Sequence, residues 1–229
     1  MTRALFFDVF GTLVDWRGSI AREARRLGLN VDGEAFADAW RNEYQPAMQA
    51  VRSGGRGYVK LDVLHRENLD RILPRFGLQA MSESDRAALN LVWHRLDAWP
   101  DVVAGLATLR ERYLLAPMSN GNIALMADMA RHNGFQWDAV LGAEIARDYK
   151  PKPEVYLAGC NAFDLAPEAC MMVAAHSSDL AAAAACGLKT AHIARPDEFG
   201  PGGAGEKGPD VPVDYAALDL LHLAELLSA

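Results

Sequence analysis

The sequence predicts an α/β fold: a doubly wound parallel sheet with helices on both faces and a helical cap inserted after the first strand. Apolar runs of strand length alternate with helical patterns along most of the chain, which is typical of parallel sheets. The long segment between the first two runs has helical spacing almost throughout and lacks a strand-length β-branched run. We therefore expect a core domain at residues 1–15 and 101–229 and a cap domain at residues 16–100.

Short apolar runs predict the strands of the core. We expect each of these runs to be a buried strand of the sheet. The predicted strands cover residues 4–8, 114–118, 139–141, 171–174 and 190–193. The predicted core helices cover residues 102–112, 123–132, 153–163, 180–186 and 218–227. The last helix is amphipathic and is expected to close the edge of the sheet.

The cap is predicted from apolar side chains at helical spacing, which usually pack inward. One set consists of Phe36, Trp40, Tyr44, Met48 and Val51, and the other of Leu61, Val63, Leu64, Leu69, Ile72 and Leu73. Residues 54–57 form a predicted turn, while Asp32 and Ser82 are predicted helix N-caps. In the core, residues 195–215 are so rich in Gly and Pro that we expect a surface loop.

The composition is ordinary for a globular protein, with 51% hydrophobic and 23% charged residues in a chain of 229. A net charge of -7 provides no basic footprint, so neither nucleic acid nor a membrane surface is an expected partner. Cys160, Cys170 and Cys186 lie in apolar contexts without CxxC spacing, which argues against disulfides and zinc. Because neither a secretory signal nor a bilayer-spanning run is recognisable, a cytoplasmic location is expected.

Polar side chains cluster at the ends of the predicted strands. Asp8 ends the first strand, Ser119 and Asn120 follow the second, and Lys150 precedes a helix that begins with proline. Asp179 follows the strand at residues 171–174. Ligands of parallel α/β sheets bind at the carboxyl ends of the strands. We therefore expect these groups to converge on one crevice.

Four motifs in this order resemble the haloacid dehalogenase superfamily, and the resemblance covers nearly the whole chain. They are DVFGTLVD, MSNGN, YKPKPEVY and the apolar strand that leads to HSSD. Each motif alone has low specificity, whereas the four at these spacings point to one superfamily. The resemblance implies a haloacid dehalogenase-like core with an inserted cap, and it implies that Asp8 is a nucleophile.

Two positions distinguish among the activities of that superfamily. Its phosphatases carry a second Asp two residues after the nucleophile, where this sequence has Phe10. They also carry a metal-binding acid four residues before the last Asp of the fourth motif, where this chain has Ala175. Mg²⁺ requires several hard oxygen ligands, so no metal site is predicted. The aromatic residue and the missing acid resemble the L-2-haloacid dehalogenase group.

The resemblance to that group implies roles for individual side chains. Thr12 is implied to steady the nucleophile and Lys150 to pair with it. Asp179 is implied to orient Lys150 or to assist the hydrolytic water. Arg41 matches an arginine that the first long cap helix of the group brings into the site. The implied substrate-binding residues are Phe10, Arg41, Ser119, Asn120, Tyr156 and His176.

These residue types suit a two-step hydrolysis of a carbon–halogen bond. The carboxylate attacks the halogen-bearing carbon, which yields an ester on Asp8 and a free halide, and water then hydrolyses the ester. Arg41 with Asn120 would stabilise the departing halide, and Ser119 with backbone N–H groups would hold the substrate carboxylate. The expected substrates are short 2-haloacids such as haloacetates and L-2-halopropionate, the reaction of an (S)-2-haloacid dehalogenase. No coenzyme is indicated.

The halide pocket departs from the pattern of this group. Ser178 stands where related enzymes often have a bulky aromatic residue, His176 where many have Asn, and Ala174 replaces a serine. Two interpretations of His176 stay open: a hydrogen-bonded structural imidazole or a donor to the halide. Donation would favour fluoride as a leaving group, whereas the space left by the aromatic ring would favour bromide. Activity on fluoroacetate is therefore a question for measurement.

Other interpretations remain open at this point. Asp8 could cap a strand end, and Lys150 and Arg41 could be solvated charges. A Mg²⁺-dependent phosphatase of the same superfamily would lose its activity in a chelator. A non-catalytic member would bind a small acid or a partner protein. Dimers are frequent among the enzymes that the chain resembles, so a homodimer is implied.

Overall fold

Eight strands form two sheets in residues 1–228, the part of the chain that the computed structural model describes. In chain order they are β1 Ala4–Phe7, β2 Val14–Asp15, β3 Asp97–Ala98, β4 Leu114–Ser119, β5 Leu141–Gly142, β6 Cys170–Ala174, β7 Lys189–Ile193 and β8 Tyr215–Ala217. Six form a parallel sheet with the order β5-β4-β1-β6-β7-β8, and β2 pairs antiparallel with β3. The prediction of a parallel α/β sheet is confirmed.

Helices flank the sheet and fill the segment between β2 and β3. They are α1 Trp16–Arg26, α2 Gly33–Asn42, α3 Tyr44–Arg52, α4 Leu61–Ile72, α5 Glu83–Asn90, α6 Val102–Arg110, α7 Ile123–Asn133, α8 Ala143–Ala146, α9 Pro153–Ala162, α10 Ser177–Ala185 and α11 Leu220–Leu226. Short 3₁₀ turns lie at Leu73–Phe76, Leu91–Arg95 and Pro167–Ala169. Helices α1 to α5 lie between β2 and β3, and α6 follows before the chain enters β4 of the large sheet.

The central position of β1 places the end of that strand at the middle of the sheet. Phe7 is in register with Pro117 of β4 and with Val173 of β6. All four residues of β1 are buried, as expected for a strand covered on both faces. Residues just after β1 therefore lie between the carboxyl ends of two neighbouring strands.

The short β2–β3 pair joins the two ends of the helical segment. Val14 pairs with Ala98 and Asp15 with Asp97, so the chain leaves the core and returns to it at one place. The sequence pattern did not predict these strands, because two residues are too few to show a period. The division into a core at residues 1–15 and 101–229 and a cap at residues 16–100 stays our proposal.

The helical spacing from Phe36 to Val51 is divided between two helices that break at Glu43. Pro46 has no N–H to donate to the Asn42 carbonyl and its ring crowds that oxygen, which accounts for the break. The predicted caps are present. Asp32 accepts the N–H groups of Glu34 at 3.0 Å and Ala35 at 3.1 Å, and the Ser82 hydroxyl accepts that of Asp85 at 3.1 Å.

The end of the chain differs from the prediction. The segment expected to be a loop ends in β8, where Tyr215 pairs with Ala191 of β7. This short strand forms the edge of the sheet, and α11 packs against α6 and β8 instead of closing that edge. Three residues after a Gly- and Pro-rich stretch carry too little pattern to be recognised as a strand.

Buried apolar side chains cover both faces of the large sheet. One cluster includes Phe7, Phe10 and Trp93 and continues into the helices before β3. The other includes Phe6 and Tyr156 on the opposite face. No helix within residues 1–228 has the length and apolar composition needed to cross a membrane.

Candidate active site

Asp8 lies directly after β1 and is 7% exposed. Its N–H donates to the Val173 carbonyl at 2.9 Å, which continues the pairing between β1 and β6. Gly11 then turns the chain with a φ of +86°, a conformation that favours glycine. The strand end and this turn together present the Asp8 carboxylate at the carboxyl edge of the sheet.

Three side chains donate to the Asp8 carboxylate. The Lys150 ammonium lies 2.9 Å from Oδ1, while the Thr12 hydroxyl lies 2.8 Å and the His176 Nδ1 atom 3.2 Å from Oδ2. The Thr12 hydroxyl in turn accepts the Ala175 N–H at 2.9 Å. Burial raises the pKa of Asp8, but Lys150 and His176 outweigh it and hold that pKa well below its usual range. Asp8 is therefore ionised at neutral pH.

Lys150 joins Asp8 to a second buried carboxylate. Its ammonium lies 2.5 Å from Asp179 Oδ2, and the Tyr156 hydroxyl donates to Asp179 Oδ1 at 2.5 Å. The Lys150 N–H also donates to the Asn120 side-chain oxygen at 2.8 Å, which connects two strand-end motifs. Burial lowers the pKa of Lys150, but the two carboxylates outweigh it and raise that pKa above its ordinary value. The ammonium thus stays charged between the two acids.

Glu198 is a site residue that the sequence analysis missed. It is 2% exposed, and its carboxylate accepts from His176 Nε2 at 2.9 Å and from the Trp16 indole N–H at 3.1 Å. A Cβ on Gly11 would lie 2.1 Å from Glu198 Oε1, so only glycine permits this approach. Glu198 lies in the segment expected to be a loop, and no motif or spacing in the sequence marks it.

His176 bridges two carboxylates and carries a charge. Burial lowers its pKa, but hydrogen bonds to Asp8 and Glu198 more than offset that effect and raise the pKa to about 10. Both ring nitrogens are occupied by these contacts. A halide leaves on the side opposite the attacking oxygen of Asp8, whereas Nδ1 lies beside that carboxylate. In the free protein both ring nitrogens thus contact carboxylates, and the donation of His176 to a halide stays a prediction.

Arg41 brings a cation from α2 to the cap side of the same crevice. Its guanidinium carbon lies 4.1 Å from the centre of the Tyr44 ring and 5.4 Å from that of Trp16, distances typical of cation–π contacts. Phe10 packs edge-on against Tyr44 in this wall. One buried nitrogen of the guanidinium, Nη1, has no hydrogen-bond partner in the described chain. It is available to an anion.

A cavity of about 1070 Å³ lies between the strand ends and α2. Most of the predicted site residues line it: Asp8, Phe10, Arg41, Asn120, Lys150, His176 and Asp179. Ser119 and Tyr156 do not line it. The Ser119 hydroxyl is buried and accepts the Gly121 N–H at 3.0 Å, and the Tyr156 hydroxyl reaches Asp179. In this structure the hydroxyl groups of both residues bond within the protein, and their substrate contacts stay a prediction.

The charges around Asp8 are balanced by side chains. Lys150 lies between the carboxylates of Asp8 and Asp179, so both acids already have a cation as their partner. Across residues 1–228 there is no group of three or more His, Cys, Asp or Glu residues arranged to hold a metal ion. The residues present do not fit a Mg²⁺ ion.

The ion pairs of His176 make stability depend on pH. The folded state retains a proton on His176 that the unfolded chain, with a pKa of 6.5, would release. This stabilisation is fully present below pH 6.5 and is lost as the pH rises through about 10. We expect the free energy of unfolding to fall across this window, and to fall less in His176→Asn. Urea unfolding at several pH values measures this, and equal pH slopes in both proteins would contradict it.

Comparisons with known proteins agree on one family. The family described as haloacid dehalogenase-like hydrolase matches residues 2–187. The (S)-2-haloacid dehalogenase 1 of Pseudomonas sp. (strain CBS-3) is 29% identical over 203 residues, which are 86% of this chain and 88% of that protein.

Two solved structures share both the fold and much of the sequence. A crystal structure of an L-2-haloacid dehalogenase has a TM-score of 0.95 and 46% identity, covering 99% of this chain and 100% of that one. A crystal structure of a defluorinating L-2-haloacid dehalogenase has a TM-score of 0.95 and 45% identity, covering 100% of this chain and 96% of that one.

Proposed function

Since the chain belongs to the haloacid dehalogenase-like hydrolase family and, within it, to the L-2-haloacid dehalogenases, we propose that it hydrolyses short 2-haloacids through an ester on Asp8. The observation that carries the proposal is a buried, ionised Asp8 in the cavity, paired with Lys150 and facing no metal site in the described chain. A carboxylate held by an ammonium retains the negative charge that a nucleophile needs.

The first step replaces a carbon–halogen bond by a carbon–oxygen bond. An Asp8 oxygen attacks the carbon that bears the halogen, and the halide leaves with the bonding electrons. Charge develops on the halide as it departs, so a cation that faces it lowers the barrier. Arg41, with a free guanidinium nitrogen, and Asn120 both line the cavity and are our assignment for this role.

The second step hydrolyses the ester. Water attacks the carbonyl carbon of esterified Asp8, and the bond from that carbon to the substrate oxygen breaks, which releases the 2-hydroxyacid. The oxygen of the new hydroxyl group therefore comes from Asp8. A single turnover in ¹⁸O-water should give unlabelled hydroxyacid and leave the label in Asp8. Labelled product in the first turnover would show direct attack by water and overturn the covalent route.

Halide release from bromoacetate and chloroacetate by the pure protein tests the activity itself. The rate should be unchanged in a chelator, because Lys150 rather than a metal balances the charge on Asp8. Hydrolysis of phosphate esters that stops in the chelator would support the rival phosphatase. Chiral 2-chloropropionate should be consumed as the L enantiomer only, which a small-acid binding protein would not do.

The same halide-release assay, run with fluoroacetate, measures whether the protein also removes fluorine. One similar structure is that of a defluorinating enzyme, which supports including fluoride. His176 is engaged by Asp8 and Glu198, so we assign fluoride stabilisation to Arg41 and Asn120. Fluoride release that disappears in Asn120→Ala while ester hydrolysis persists would support this assignment.

Replacing Arg41 should reduce the first step strongly. We expect Arg41→Ala to lower kcat/KM for bromoacetate by roughly 100-fold, because the departing halide loses the cation that faces it. Arg41→Lys should recover part of the rate. Arg75→Ala is a matched control, because Arg75 is exposed and, like Arg41, lies in the helical segment between β2 and β3. Near-normal kinetics for Arg41→Ala would show that another cation serves the halide.

We also propose a cytoplasmic homodimer. The cysteines Cys160, Cys170 and Cys186 are all free thiols, which supports a reducing compartment. The homodimer is supported by the resemblance to a group in which dimers are frequent. Light scattering after size-exclusion chromatography measures the mass, and a value near 24.9 kDa would identify a monomer.

A further inference from the structure

The second step of the proposed reaction needs a base for water, and the structure points to a pair of side chains, only one of which belongs to the motifs. We propose that His176, held by Glu198, accepts the proton of the water that hydrolyses the Asp8 ester. The proposal rests on the covalent route described above. Glu198 acts through His176 and is a positioning residue.

Asp179 is the alternative base within the motifs, and its contacts argue against that role. Its Oδ2 atom is engaged by the Lys150 ammonium and its Oδ1 atom by the Tyr156 hydroxyl. Both oxygens of Asp179 thus already have hydrogen-bond partners within the protein. Asp179 instead keeps Lys150 in place beside Asp8.

His176 has the geometry that Asp179 lacks. Its Nδ1 atom lies 3.2 Å from Asp8 Oδ2, and Nε2 lies 2.9 Å from the Glu198 carboxylate. The order carboxylate, imidazole and reacting group is that of hydrolytic triads, in which the acid fixes the tautomer of the base. Once Asp8 is esterified and the imidazole is neutral, with Nε2–H donated to Glu198, Nδ1 presents its lone pair toward the ester group on Asp8.

Solvent reaches the imidazole but not the acid behind it. The His176 side chain is 27% exposed and lines the cavity, whereas the Glu198 side chain is 1% exposed. A buried carboxylate is costly unless it is paired. The contacts of Glu198 with Trp16 and His176 supply that pairing. The contact at Nε2 also fixes the orientation of the His176 ring. A water in the cavity can therefore approach Nδ1 and the ester carbon together.

Formation of the ester changes the charge around His176. In the free enzyme the ring lies between two carboxylates, those of Asp8 and Glu198. The other titratable groups nearby are Lys150, whose ammonium contacts the same Asp8 carboxylate, and His192 with its partner Glu206. Esterification removes the negative charge of Asp8, so the imidazolium loses one of its two partners and releases its proton more readily. The base thus becomes competent only after the halide has left.

The proposed proton transfers balance over the step. The water oxygen bonds to the ester carbon as one water proton moves to Nδ1. The tetrahedral species collapses by breaking the bond to the substrate oxygen, and the proton on Nδ1 passes to that oxygen to give the hydroxyacid. The Asp8 carboxylic acid left behind then ionises. One proton and one halide ion are released for each molecule consumed.

The test separates the two steps in a single turnover with chloroacetate. Chloride release reports ester formation, and glycolate release reports ester hydrolysis. We expect His176→Asn to release chloride but to slow glycolate release by at least about 100-fold. Because the amide still donates to Asp8, intact-protein mass spectrometry should then find one carboxymethyl group on Asp8. Glu225→Gln, at an exposed position of α11, is the matched control for Glu198→Gln.

Glu198→Gln distinguishes positioning from a structural effect. Loss of the carboxylate lowers the pKa of His176, so the pH at which ester hydrolysis reaches half of its maximum rate should move to lower pH. A merely structural role would lower the rate without moving that midpoint. In His176→Ala, added imidazole should restore glycolate release from the trapped ester, which remains informative if either other variant folds poorly.

The outcomes identify which idea fails. If chloride and glycolate release slow equally in His176→Asn and no ester accumulates, the imidazole acts before or during ester formation and the inference is overturned. An unmoved pH midpoint in Glu198→Gln would overturn the positioning role. If the wild-type protein released no chloride from chloroacetate, or never formed an ester on Asp8, the proposed function itself would be overturned.

Discussion

Asp8→Asn is expected to lose at least about 10⁴-fold in turnover, on the scale seen when nucleophiles are removed from other covalent hydrolases. An amide is far less nucleophilic than a carboxylate, and the substitution changes little else in size. Only one of the two donors, Lys150 at Oδ1 or Thr12 at Oδ2, would still find an oxygen at that position, because the other oxygen becomes an NH₂ group. Bromide release and ester formation are both measured.

The control for this change is Asp164→Asn. Asp164 is exposed and has a φ of +51°, a conformation that asparagine tolerates. Its turnover should match that of the wild type. If Asp8→Asn retained more than a small fraction of the wild-type rate at unchanged fold, covalent catalysis by Asp8 would be excluded.

Lys150→Ala should damage both activity and stability. Without the ammonium, the buried carboxylates of Asp8 and Asp179 face each other without their shared partner. Breaking a buried ion pair typically costs about 3 kcal/mol or more. The pKa of Asp8 should rise, which reduces the ionised nucleophile at neutral pH. We expect kcat to fall by roughly 1,000-fold and the free energy of unfolding to fall with it.

A second substitution separates these two effects. In Lys150→Ala/Asp179→Asn one uncompensated charge is removed, so stability should partly recover while activity stays low. Lys207→Ala, at an exposed position, controls for the loss of a lysine. If Lys150→Ala kept normal stability and normal kinetics, the ion-pair network around Asp8 would be assigned wrongly.

The sequence was sufficient for the α/β sheet and for the residues that end its strands. Buried parallel strands are continuous apolar runs and helices repeat with their own period, so β1, β4, β6 and β7 were recognisable. The rule that ligands bind at the carboxyl ends of such strands brought Asp8, Lys150 and Asp179 to one site in advance. The order of motifs added the chemistry of a haloacid dehalogenase.

Other features could not be predicted from the pattern of residues along the sequence. The strands β2, β3 and β8 are too short to show a period, and Pro46 interrupts a helical pattern that reads as continuous. Ser119 and Tyr156 belong to the right motifs, but their hydroxyl groups bond within the protein. A motif specifies which residue is present near the site, and side-chain direction depends on neighbours from other elements.

Chain order and local periodicity thus determined the fold and the convergence of Asp8 and Lys150 on one crevice, and the resemblance of the motifs implied the roles of these two residues. The contact of Glu198 with His176 and Trp16 was decided only by the tertiary structure. It joins residues from an irregular loop, a strand end and the first turn of α1, which share no period. It also requires the missing side chain of Gly11. Such contacts arise from packing among distant segments, and packing leaves no repeating trace along the chain.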